Sequence, residues 1–254
     1  MNGRLTDKLH ALEEENAELK ETLRQREELI RRTFGRYLTD EVLEEIIENG
    51  DALRIGGERR EVTMLFSDIR QSTALSERMD AVDFLRMLNH YLEAMIEIIN
   101  AWQGNIREFV GDEIVVVFGA PRPNESAARD AVACAVAMQR RMEAVNAWNR
   151  EQGYPELSMG VGIHTGEAIL GNIGSQTRTK YDMIGRNVNL ASRIQGCTRG
   201  GQILVSTETL TAAGENVVEN EQGAAWVRLK GIQEEVLVHD VVGFGRQHLP
   251  EKTE

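Results

Sequence analysis

With 254 residues the chain is long enough for one sizeable domain and an appendage. Its 41 acidic against 29 basic side chains leave a formal net charge of −12, which excludes charge-driven wrapping of nucleic acid and offers no grip on an anionic membrane surface. Cys134 and Cys197 form no Cys-x-x-Cys pair and no run approaches about 18 apolar residues, so structural zinc is not expected and a cytoplasmic chain is.

From Leu5 the sequence steps by four and three through Leu9, Leu12, Asn16, Leu19, Leu23, Arg26 and Ile30. Leu5, Leu12 and Leu19 fall at heptad position d, while Leu9, Asn16, Leu23 and Ile30 fall at a. A single Asn at a among leucines at d favours a parallel two-stranded coiled coil in register, so residues 1–33 are expected to pair with a second copy. The pattern breaks near Thr33, and Phe34 to Ile47 restarts as a short helix with Thr39 or Asp40 as N-cap. Asn49-Gly50 and Gly56-Gly57 mark a linker, so residues 34–60 are expected to join the coil to a globular domain.

Val62 to Phe66 reads as a first buried strand that runs into Asp68. Beyond it, Arg70-Gln71-Ser72-Thr73 places backbone N–H groups and the hydroxyls of Ser72 and Thr73 at a helix start, a favourable setting for phosphate. Met79 to Trp102 is predicted as one helix with Phe84, Leu85, Leu88, Leu92, Met95, Ile96 and Ile99 on its core face. Arg107 to Gly119 then reads as a hairpin, two β-branched runs about a Gly111-Asp112 tip. An Ala-rich helix is expected from Glu125 to about Asn149, and a strand from Leu157 to His164 that turns at Thr165-Gly166-Glu167 and pairs back through Ala168 to Leu170. His164 reads as a structural strand-end histidine. Asn187 to Ile194 is predicted helical, Gln202 to Ser206 a strand, and Trp226 to Leu229 with Val236 to Val242 a last antiparallel pair. This order predicts an α+β fold, a ferredoxin-like β-α-β-β-α-β sandwich with extra C-terminal strands. Asp68 and Asp112 would then meet across neighbouring strands, and hard divalent cations take such carboxylates together with water and phosphate.

Four motifs in order resemble the class III nucleotidyl cyclases: Phe66-Ser67-Asp68-Ile69, Phe109-Val110-Gly111-Asp112, Gly162-Ile163-His164-Thr165-Gly166-Glu167 and the stretch from Tyr181-Asp182 through Asn189 to Arg193. The resemblance runs from about Glu61 to Gly243, and the Phe34–Ile47 segment resembles the transducing helix that precedes such domains in bacterial members. It implies a catalytic domain over residues 61–245, followed by a tail of residues 246–254. It further implies that Asp68, Asp112 and the backbone carbonyl of Ile69 hold two Mg²⁺ or Mn²⁺ ions per site. Asn189 would orient the ribose, Arg193 would stabilise charge on the α-phosphate, and Lys230 would contact the triphosphate. In such cyclases the metal acids and the Asn/Arg pair come from different subunits, so one chain holding both implies a homodimer with two equivalent sites. A sensor domain that controls the activity is expected to lie outside this chain.

The phosphate loop departs from the family pattern, with Gln71-Ser72 where glycine followed by Phe or Ser is usual. The purine pair is mixed as well. Glu108 stands where adenylate cyclases carry Lys, while Asp182 is of the adenylate type. Asp182 suits the adenine N6 donor, whereas Glu108 suits the two guanine donors. Each choice leaves one carboxylate to be protonated or turned away, at about 4 kcal/mol if its pKa must rise from 4 to 7. ATP is the expected substrate, with GTP the alternative. A diguanylate cyclase is disfavoured because Gly111-Asp112-Glu113 lacks the doubled glycine of that signature. A degenerate domain that only binds nucleotide or dimerises is the remaining alternative.

Overall fold

The computed structural model describes residues 2–34, 55–175, 178–229, 231 and 234–249. Helix α1 (Asn2–Phe34) belongs to one compact unit and the rest, from Arg54 on, to a second. Within α1, Leu12, Leu19 and Leu23 are each more than half exposed, which leaves the apolar seam uncovered in a single chain. The expected Thr39/Asp40-capped helix and the last five residues of the tail lie outside the described residues. Among the described residues no helix is long and apolar enough to cross a membrane.

The second unit is the predicted α+β sandwich. Its first six parts are β1 (Gly56–Ile69), the helix pair α2 (Ser72–Arg78) and α3 (Ala81–Ala101), β2 (Asn105–Val110), β3 (Glu113–Phe118), α4 (Ala127–Gln152) and β4 (Met159–Ser175). There follow β5 (Arg178–Ile184), α5 (Arg186–Gly196), β6 (Ile203–Ser206), α6 (Thr207–Ala213), β7 (Val217–Arg228), β8 (Glu235–Phe244) and β9 (Gln247–His248). The sheet order is β2-β3-β1-β4-β6-β8-β7, with β5 paired to β4 and β9 to β8.

Val62–Phe66 of β1 and Ile114–Phe118 of β3 read as nearly unbroken apolar runs because both of their faces are covered. Leu65, Ile69, Ile114, Val116 and Phe118 pack on one side with α3 and α4, while Val62, Met64, Phe66, Val115 and Val117 pack on the other with Leu170, Met183 and Ala191. This is the period-two alternation of a strand with a core on each side.

The helix expected over Met79–Trp102 is α3, which the Asp80 carboxylate starts by accepting from the N–H groups of Val82 and Asp83. Two sequence expectations are corrected. The buried stripe of α3 is Met87, Tyr91, Met95 and Ile99, one residue per turn, and Leu85, 200° around the helix from Met87, is 55% exposed. The turn at Thr165-Gly166-Glu167 does not exist. β4 runs straight through it, paired with β1 from Gly56 opposite Asn172 to Ile69 opposite Met159. The Thr63 and Thr165 hydroxyls, 2.9 Å apart in the core, hold the strand extended there. Gly166 serves a close approach instead, since a Cβ on it would lie 2.7 Å from Asn187 Nδ2 of α5. The chain folds back only beyond Ser175, where β5 returns along the outer half of β4.

Candidate active site

Strand pairing brings the two predicted acids to one end of the sheet. β1 lies against β3 with Ser67 opposite Ile114, so Asp68 at the end of β1 stands beside the β2–β3 tip that carries Asp112. Gly111 takes φ 67° and lets that two-residue tip close. Asp112 Oδ2 accepts from the Ile69 N–H at 2.8 Å, which fixes one acid to the residue after the other. Burial raises the pKa of Asp68, Arg70 opposes that rise, and Asp112 adds to it. Burial raises Glu113 too, reinforced by Asp68, Asp112 and Glu108. These carboxylates therefore repel one another in a half-desolvated setting.

Such a donor set fits a hard divalent cation. It offers oxygen only, it carries surplus negative charge, and it sits at an open strand end. Among the described residues no cluster of three or more His, Cys, Asp or Glu side chains could enclose a metal. Two carboxylates and a carbonyl leave places for phosphate and water, the usual arrangement for Mg²⁺. Arg70, which the sequence reading passed over, places Nη2 2.7 Å from Asp68 Oδ1.

The predicted phosphate loop borders the acids. A cavity of about 530 Å³ is lined by Asp68, Ile69, Arg70, Ser72, Thr73 and the Gln195–Gly196 end of α5. Gln71 adopts φ 62°, ψ 22°, the left-handed region in which a side chain costs about 1–2 kcal/mol and glycine is at ease. Gln71→Gly is therefore expected to stabilise the unit by roughly 1 kcal/mol, read as a rise of about 2–4 °C in Tm. No change or a fall in Tm counts against strain at this residue.

The purine pair is also brought together, with an addition. A bulge in β2 shifts its register between Ile106, opposite Val116, and Glu108, opposite Val115. Val116 faces the α3–α4 core and Val115 the opposite side, so the extra residue swings Glu108 onto the face that β5 occupies. Alternation in β5 puts Lys180 and Asp182 on one face. Lys180 Nζ lies 2.6 Å from Glu108 Oε2 and 3.0 Å from Asp182 Oδ2. One ammonium thus sits between the two carboxylates and offsets their mutual repulsion. Burial lowers the pKa of Lys180, and the hydrogen bonds to Glu108 and Asp182 outweigh it and hold the amine charged. The guanidinium of Arg107 stacks 4.8 Å above the Tyr181 ring alongside.

Asn189 and Arg193, four residues apart on α5, share one helix face. The helix sits close on β4, since a Cβ on Gly162 would lie 2.2 Å from the Gln195 nitrogen. Arg193 lies against Gly231, whose Cβ would meet its Nη2 at 3.5 Å. Gly231 therefore borders Arg193, and Lys230 lies outside the described residues. Neither Asn189 nor Arg193 lines the cavity beside the acids. His164 is 2% exposed, its Nδ1 2.8 Å from Ser206 Oγ, and burial lowers its pKa, as suits a structural histidine.

The profile of the adenylate and guanylate cyclase catalytic domain matches residues 57–240. The chain is 33% identical to adenylate cyclase 1 of Rhizobium meliloti (strain 1021) over 216 residues, 84% of this chain and 32% of that protein. It is 33% identical to the adenylate cyclase of Anabaena cylindrica over 196 residues, 74% of this chain and 36% of that protein. The chain thus spans about a third of the length of these curated relatives. Among solved structures, the guanylyl cyclase Cya2 superposes with a TM-score of 0.74 at 43% identity, covering 77% of this chain and 100% of that one. The adenylyl cyclase CyaB from P. aeruginosa superposes with 0.71 at 36% identity, covering 76% and 99%.

Proposed function

This chain belongs to the adenylate and guanylate cyclase catalytic-domain family, and on that premise we propose that it converts ATP to 3′,5′-cyclic AMP and pyrophosphate at sites shared by two copies. The observation that carries the reading is the Asp112–Ile69 hydrogen bond, which gathers two strand-tip acids beside the Ser72–Thr73 cavity.

Cyclisation needs the ribose 3′-oxygen to lose its proton and form a bond to the α-phosphorus while the bond to pyrophosphate breaks. Mg²⁺ or Mn²⁺ held by Asp68, Asp112 and the Ile69 carbonyl would acidify the hydroxyl and offset phosphate charge, two ions being the family's usual complement. Ser72 and Thr73, with Lys230, would hold the terminal phosphates. Asn189 would hold the ribose, and Arg193 would meet the charge that develops on the α-phosphate.

Neither of the last two residues lines the cavity beside the acids of its own chain, which supports completion of each site by a partner. The uncovered leucine seam of α1 supports parallel pairing, and the exposed Phe109, Val110 and Ile184 on the hairpin and β5 supply further apolar surface beside the site. A sensor in the wider protein would act through α1 and the segment after it.

The base reading rests on Lys180. Adenine presents an N6–H donor and an N1 acceptor, and the Asp182 carboxylate with the Lys180 ammonium offers the complementary acceptor and donor. Glu108 then tethers the ammonium and contacts no base. GTP remains a second reading, favoured by the bulge that aims Glu108 and by the 43% identity to a guanylyl cyclase. Paired turnover of ATP and GTP with Mn²⁺, read as cyclic product and pyrophosphate, separates them. ATP is expected to be preferred, and Glu108→Lys is expected to lower ATP turnover by setting a second cation against Lys180. A gain in ATP use by that variant reverses the base assignment, and no product from either nucleotide leaves only a binding domain.

A further inference from the structure

Within the acid end of the site, Arg70 is the residue that the reaction scheme leaves unused. Its guanidinium is built in: Nη2 lies 2.7 Å from Asp68 Oδ1, Nη1 donates to the Thr198 carbonyl at 3.3 Å, and its backbone N–H donates to the Ser158 carbonyl at 2.8 Å. Its side chain is 23% exposed and that of Asp68 34%, so the pair is only partly screened by water. Nε is buried and has no hydrogen-bond partner in the structure. Arg70 also lines the cavity shared with Ser72 and Thr73.

A carboxylate oxygen held at 2.7 Å by a guanidinium cannot at the same time present its full charge to a divalent ion. A guanidinium released next to a triphosphate pocket has a second class of partner at hand, because its planar fork binds phosphate as readily as carboxylate. We propose that Arg70 is an exchangeable counter-ion: it pairs with Asp68 while the site lacks a divalent cation, and passes to a phosphate oxygen of the substrate when the cation takes Asp68. This inference rests on the reading of Asp68 and Asp112 as cation ligands. Its consequence is coupling. Free cation binds weakly because it must displace Arg70, and phosphate binding recovers that loss, so the two ligands favour one another.

The test uses the full chain and two probes that do not depend on the base, Mn²⁺ alone and inorganic pyrophosphate with Mn²⁺ present. Binding is read by calorimetry and by the electron paramagnetic resonance of free Mn²⁺. Arg70→Gln is expected to bind free Mn²⁺ at least about fivefold more tightly and pyrophosphate at least about fivefold more weakly, with Arg70→Lys between it and the wild type. Opposite movement of the two affinities is the diagnostic result. A residue that only braces the fold would weaken both, and a simple spectator would change neither; either result overturns the proposal. Unaltered pyrophosphate affinity with tighter Mn²⁺ binding overturns the exchange as well. If the wild type and Asp112→Asn bind Mn²⁺ alike, it is the assignment of the acids that fails, and the inference falls with it.

Discussion

Replacing Asp112 with asparagine is expected to reduce cyclic nucleotide formation by roughly 10³-fold or more while leaving the fold as stable as before or more so. The loss follows from chemistry. The substitution removes one of the two carboxylates on which the cation site depends, and charge neutralisation at the reacting phosphate contributes a factor of that order. The stability expectation follows from geometry and electrostatics together. An asparagine carbonyl oxygen can still accept from the Ile69 N–H that Asp112 Oδ2 holds at 2.8 Å. At the same time it ceases to repel Asp68 and Glu113, both raised above the ordinary carboxylate range first by burial and then in part by Asp112.

The sign of that contribution is definite. A carboxyl whose pKa is higher in the folded chain binds more protons there, so the fold is penalised once pH exceeds the raised pKa and recovers as pH falls through it. Removing Asp112 lessens the penalty at neutral pH, and such an exchange of stability for charge is what functional sites commonly show. Thermal unfolding at pH 7 without added metal, beside turnover with Mn²⁺, reads both halves. Activity lost together with several degrees of Tm would mean that Asp112 acts as a brace, and activity retained would remove it from the site.

Sequence and structure parted company at particular residues, for identifiable reasons. The hairpin tip, the acid at the end of β1 and the helix bearing Asn189 and Arg193 were legible because each rests on a local signal: a Gly-Asp turn, a β-branched run, a helical period. The β4 error came from the same kind of signal, since Gly166 reads as a turn residue. Its glycine instead answers to a neighbour distant in sequence, Asn187, which needs the space. The bulge at Arg107 leaves no trace in composition, yet it decides which face Glu108 occupies and therefore whether it can meet Lys180 at all. Lys180 itself had a local cue, two residues before Asp182 in an extended run, but its role depends on β2 and β5 facing each other, which no window of sequence contains. Arg70 was hidden by its position between two more conspicuous features, the acid and the phosphate loop.

A mixture of two inert variants is expected to work where neither does alone. Asp112→Asn destroys the acid half of every site and Arg193→Ala the guanidinium half, so each purified variant should fall to roughly 10⁻³ of wild-type activity or below. Co-expressed, the two chains pair at random and about half of the dimers are mixed. In a mixed dimer one site collects both lesions and the other collects none, so the preparation should recover about a quarter of the wild-type specific activity. Recovery should appear on co-expression and slowly, if at all, on mixing the purified proteins, because partners held through the leucine seam of α1 must first separate. The arrangement within one chain is what motivates this, as Arg193 lies against Gly231 and neither it nor Asn189 lines the cavity beside Asp68. A co-expressed preparation as inert as its components would place the complete site inside a single chain and remove the reason for a dimer.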